Sequence, residues 1–134
     1  MFFTFPITIF ANTPSTAKLK TILPLTRGII TRINVEFPAG HVGLTHIGIN
    51  RGLNQVWPTN PDATLKSSNE TIVWEEDYSL DLEPFQLEAY AWNEDDTYDH
   101  TITVRIELKS IPVQGSILDE IKALLGMTPT TAEG

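Results

Sequence analysis

Apolar and polar residues alternate with a period of two along most of this chain, the mark of strands with one buried face and one wet face. The clearest run is His100 to Leu108, where Ile102, Val104, Ile106 and Leu108 alternate with Thr101, Thr103, Arg105 and Glu107. Just before it, Phe85, Leu87, Ala89 and Ala91 share one face, and Gln86, Glu88, Tyr90 and Trp92 the other. With the acidic link 93–99 between them, the two runs read as limbs of one long hairpin, which needs a second apolar layer to be stable. At the start, Phe3, Phe5, Ile7 and Ile9 oppose Phe2, Thr4, Pro6, Thr8 and Phe10. Pro6 cannot donate to a central ladder, so this is an edge strand or an arm on another subunit.

Residues 18–25 form a short extended piece ending near Pro24. From Gly28, Ile29, Thr31, Ile33, Val35 and Phe37 face one way, and Pro38 to residue 41 stops the strand as a turn. In residues 42–50 the parity slips, since Val42 and Leu44 oppose Ile47 and Ile49, and Gly43 and Gly48 mark a bulge or bend. Short strands follow at 53–57 and 71–78. After Pro112 the period changes. Ser116 and Asp119 form a capping box, Ile117, Leu118, Ile121, Leu124 and Leu125 recur at helical spacing, and Gly126 closes the helix.

These elements predict a mainly β fold: a two-sheet, jelly-roll-like β-sandwich with an extended N-terminal arm and a short C-terminal helix. A small barrel is the alternative. The division is an arm and edge strand at 1–27, a sandwich body at 28–111, and the helix and tail at 112–134. A chain of 134 residues suits one domain.

Composition narrows the classes. There is no cysteine, hence no disulfide framework or thiolate chemistry. A formal charge of −8 argues against nucleic-acid partners, which require a basic surface. The first eleven residues lack the basic start of a signal peptide and are read as mature structure. No apolar run is long enough for a spanning helix. Charge is unevenly placed: residues 1–35 hold Lys18, Lys20, Arg27 and Arg32 and no acid, whereas 75–99 hold ten acids and no Lys or Arg. That asymmetry suits a solvated acidic surface, or complementary surfaces that meet between subunits.

Chemistry-bearing motifs are sparse. His41 and His46 lie five apart in an extended segment and so point to opposite faces, which does not suit a metal site. The acidic link 94–99 lacks the donor spacing of a calcium loop and is expected to be an exposed hairpin loop, not a metal site. No nucleophile elbow, phosphate loop or dinucleotide fingerprint is present. The expectation is therefore no catalytic residue, no metal and no cofactor. Outward aromatics remain: Trp57, Tyr90 and Trp92 are candidates for a sugar-stacking platform or a protein interface.

One further set of features resembles a group of short structural proteins of tailed bacteriophages. It comprises Ala11-Asn-Thr-Pro14, Val35-Glu-Phe-Pro38, the Ala-Gly-His-Val-Gly-Leu run at 39–44, Trp57-Pro-Thr-Asn-Pro61, Pro84-Phe-Gln-Leu87 and Ala91-Trp-Asn-Glu-Asp-Asp-Thr-Tyr98, and covers about residues 10–108. The resemblance implies a non-enzymatic virion protein, a capsid decoration (cement) protein foremost, with a neck or tail ring protein or a carbohydrate-binding module for host attachment as alternatives. Its implied partners are copies of itself, in a trimer or ring, and other virion proteins such as the major capsid protein, not membrane or nucleic acid; sugar enters only with the carbohydrate-binding alternative, through Trp57, Tyr90 and Trp92. The expected contacts are the arm residues Phe2, Phe3, Phe5, Ile7, Ile9, Lys18 and Lys20, reaching to a neighbour's sheet edge, and the helix face Ile117, Ile121 and Leu124.

Overall fold

The computed structural model describes residues 1–40 and 42–111, so the predicted helix with Ile117, Ile121 and Leu124 lies outside the described residues, as does His41. Eight strands are described: β1 (Phe2–Ile9), β2 (Leu19–Pro24), β3 (Gly28–Phe37), β4 (Thr45–Arg51), β5 (Asn54–Trp57), β6 (Glu70–Leu80), β7 (Gln86–Asn93) and β8 (His100–Ser110). They form two antiparallel four-stranded sheets, ordered β1-β8-β3-β6 and β2-β7-β4-β5. The pairing is nested. β4 pairs with β5, β3 with β6, β2 with β7, and β1 with β8.

That nesting corrects the hairpin expected at 85–108. β7 pairs with β2 and β4, β8 pairs with β1 and β3, and the acidic link carries the chain from one sheet to the other. Both runs do alternate, but alternation reports only which face is buried. It carries no information on which strand lies alongside.

The inner faces of both sheets meet in one apolar cluster, with Ile33, Val35, Val104 and Ile106 from one sheet and Leu23, Ile47, Ile49 and Leu87 from the other. Each such side chain contributes roughly 1.5–3 kcal/mol by leaving water. Register is exact along β1 and β8, where Phe3, Phe5, Ile7 and Ile9 stand opposite Ile106, Val104, Ile102 and His100. In β3 a bulge between Ile30 and Arg32 resets the parity, so Ile30 is in the core and Ile29 is not, contrary to strict alternation. Gly28 is required by packing: a Cβ there would lie 2.4 Å from Leu108 Cδ2 and 2.5 Å from the Lys109 carbonyl. The parity slip at 42–50 resolves simply. Val42 and Gly43 take positive φ in a turn, and the strand starts only at Thr45.

The first strand takes the edge-strand alternative of the two expected for it. It lies on its own domain as the margin of the first sheet, where the missing N–H of Pro6 breaks no central ladder. Ile7 and Ile9 are buried in the chain's own core, and Phe3 and Phe5 pack against it with their rings stacked at 6.3 Å. Of the five apolar arm residues, Phe2 stays largely exposed, at 57%, and Lys18 and Lys20 are exposed as well. An apolar alternating strand must be covered, and here the cover comes from within the chain.

Candidate functional site

Outward side chains of the second sheet form cross-strand rows that follow from register. Lys20 on β2, Tyr90 on β7 and Gly48 on β4 make one row; Trp92 and His46 make the next; Glu88 and Asn50 continue to Gln55 on β5. Two loops rise beside these rows, one running through residues 15–18 before β2 and one at 59–64 after β5. Between them lies a cleft of about 860 Å³, with Lys18, Gly48, Asn50, Gln55, Asp62 and Tyr90 among its lining. A smaller depression of about 270 Å³ shares Ser15 and Trp92 with it and is lined further by Asn12 and Glu94.

The walls are held from several sides. The side-chain nitrogen of Gln55 reaches the carbonyls of Pro58, Asn60 and Ala63 at 2.7, 3.2 and 3.2 Å, fixing the second loop. Backbone bonds between Ile47 and Leu65 tie the far end of that loop to β4. His46 bonds through Nδ1 to Thr64 and through Nε2 to Glu94, at 3.0 and 3.2 Å. Buried Glu88 accepts the Gly52 N–H at 2.7 Å and so clamps the β4–β5 turn.

At the other end the acidic link is a hydrogen-bonded hub. Asn93 donates to the carbonyls of Ile9 and Tyr98 and accepts the Asp95 N–H. Asp95 Oδ1 accepts the N–H groups of Thr97 and Tyr98, while Oδ2 meets His100 Nε2 at 2.8 Å. The His100 hydrogen bond, followed by that from Thr97, holds the Asp95 carboxyl below its ordinary value of 3.8. Asn12 and Ala11 dock on the same link through the Asp95 carbonyl and the Asp99 carboxylate. Two of the segments singled out in the sequence, 11–14 and 91–98, are therefore partners in one construction, and its carboxylates are engaged with protein donors.

The aromatic candidates separate. Trp57 is 4% exposed, points inward, and meets Trp74 and Tyr78 edge-on while its Nε1–H donates to Glu76 at 3.0 Å. It is no platform. A bulge between Ile49 and Asn50 turns it under the sheet, which a four-residue strand does not reveal by alternation. Tyr90 and Trp92 do lie side by side on the outer face. Trp92 is closed in, stacked on His46 at 4.5 Å and covered by the Lys18 ammonium at 4.9 Å from its ring centre. Tyr90 has Lys20 at 6.0 Å toward β2, and toward β4 it faces Gly48, which has no side chain.

Lys18 and Lys20, read as arm residues reaching a neighbour, thus lie over rings of their own chain. The acid-free and acidic segments also meet within the chain, with Arg32 3.5 Å from Glu75. Gly48, Asn50, Gln55 and Asp62 were not singled out by sequence reasoning. Their one signal was Gly48, a glycine inside a strand-like run. No protein-family model matches the chain, and no curated protein is significantly similar to it.

Proposed function

We propose that this chain is a non-enzymatic structural protein of a tailed-phage virion, folded as a jelly-roll-like β-sandwich and acting as a capsid decoration protein. The observation that carries the reading is the strand order, β1-β8-β3-β6 facing β2-β7-β4-β5 with nested pairing. This order supports the jelly-roll reading, an architecture used by viral capsid and lectin domains and by cupins. The resemblance of residues 10–108 to phage structural proteins points the same way, and it brings no catalytic residue with it. Exposed Phe2 and Phe10 flank the β1 margin and supply apolar area for contact with further copies or with the major capsid protein.

The test is immunogold negative-stain microscopy of purified virions with an antibody against this chain. Label at regular positions on the capsid shell supports the reading. Label on the neck or tail replaces decoration by a ring role, and its restriction to unassembled lysate overturns a virion role altogether.

A further inference from the structure

We infer that the cleft on the outer face of the β2-β7-β4-β5 sheet is a binding site for a neutral oligosaccharide, with its main subsite over Gly48 against the open face of Tyr90. The inference is independent of the virion reading, because it concerns the ligand of a cleft wherever the protein works.

Gly48 is the central observation. It sits inside β4, where glycine weakens a strand, and neither backbone nor packing asks for it. Its φ is not positive, and a Cβ would meet only the Trp57 carbonyl at 3.9 Å and Gln55 Oε1 at 4.0 Å, ordinary contact distances. What the glycine provides is a bare floor, the usual reason for a strand glycine when a ligand must approach the backbone. Register places Tyr90 directly beside that floor. Lys20 occupies the Tyr90 side toward β2, which leaves the side toward Gly48 as a flat apolar surface in a cleft that mixes polar groups with Leu53, Pro61 and Trp92.

The lining selects the ligand class. Asn50, Asn54 and Thr59 offer amide and hydroxyl groups that both donate and accept, and Asp62 and the Gln55 side-chain oxygen accept, the complement of a polyhydroxylated molecule. An apolar ligand would strand those groups without partners. An anion is disfavoured, because Asp62 adds negative charge and the Lys18 ammonium is already placed over Trp92. One aromatic face among hydrogen-bonding side chains suits a pyranose ring, with its C–H face on Tyr90 and its hydroxyls on the amides. The cleft runs from Tyr90 past Asn50 to Asp62, and a second depression adjoins it at Ser15 and Trp92, room for more than one ring, which is why an oligomer is inferred. Finally, Gln55 fixes the loop wall in advance, so little ordering cost accompanies binding.

The experiment uses the intact chain, isotope-labelled, titrated to millimolar concentrations of maltohexaose, cellohexaose and chitohexaose and followed by NMR. At least one glycan is expected to shift the Gly48 amide and the Tyr90 ring resonances. Gly48→Leu, which fills the floor, and Tyr90→Ala are each expected to weaken that binding at least about tenfold with an unchanged thermal midpoint. Thr103→Ala, on the other sheet, should bind as the native protein does. Should Tyr90→Ala fold poorly, Gly48→Leu alone decides. Absence of shifts at Gly48 and Tyr90 with all three glycans overturns the inference, as does undiminished binding by Gly48→Leu.

Discussion

The two sheets share one interior and present opposite exteriors. On the β1-β8-β3-β6 face, short and charged side chains close on one another: Thr8 bonds Thr101 at 2.9 Å, Arg105 pairs with Glu36 at 2.7 Å, and Arg32 with Glu75 at 3.5 Å. On the β2-β7-β4-β5 face the rows hold Tyr90, Trp92 and His46 beside a strand glycine, under two anchored loops. A sheet exterior needs only solvated, laterally paired side chains to be stable. An aromatic beside a bare glycine position is the arrangement on which the proposed sugar subsite rests.

If the interior is common to both faces, truncation behind either should cost alike. Leu87→Ala, beneath the cleft, and Ile106→Ala, beneath the paired face, are each expected to lose about 2–5 kcal/mol in urea unfolding. A deficit on one side only would break the comparison, since one sheet would then be bearing the core alone. Next in size is Asn93→Ala. It strips the buried Ile9 carbonyl and the part-buried Tyr98 carbonyl of their donor and should cost about 1–3 kcal/mol, while loosening the cleft end near Trp92. Unchanged stability would mean that the acidic link does not tie the sheets together.

A smaller effect is confined to acid. Because the folded-state value of Asp95 is depressed, its contribution is fully present above the ordinary 3.8 and is lost as pH falls through the folded value. The stability deficit of Asp95→Ala should therefore be constant near neutrality and shrink below pH 3.8. A deficit independent of pH down to full protonation would exclude the His100 bond as its source. Smallest of all is the coupling of Arg32 with Glu75. Both are well exposed, at 47% and 81%, and a double-mutant cycle should give no more than about 1 kcal/mol.

Strand positions were legible because alternation is a local signal. All of the expected β segments became strands, and Pro6 rightly marked a margin. Pairing was not legible, because an inward face looks the same whichever neighbour lies beside it; hence the 85–108 hairpin that is in fact a crossing between sheets. Single inserted residues were equally hidden. The bulge at Ile30 exchanged the roles of two isoleucines, and the one at Ile49 sent Trp57 inward. Tyr90 and Trp92 were correctly placed outward, yet Lys18 and His46, which close the faces of Trp92, come from distant segments. The cleft itself is assembled from four stretches spread over residues 15–92, and no single stretch carries its pattern.

The nested pairing also fixes a timetable. As the ribosome releases the chain, β4 and β5 can meet first across the turn between Arg51 and Asn54, and each outer pair closes only after the one inside it. β1 is made first and must wait for β8, whose Leu108 carbonyl receives the amino group of Met1 across 107 positions. Loop closure over such separations is slow, so Phe2, Phe3 and Phe5 spend synthesis uncovered. The demand for chaperone shelter during synthesis should therefore fall when Phe2 and Phe3 are made polar, even where the folded state hardly registers the change at Phe2.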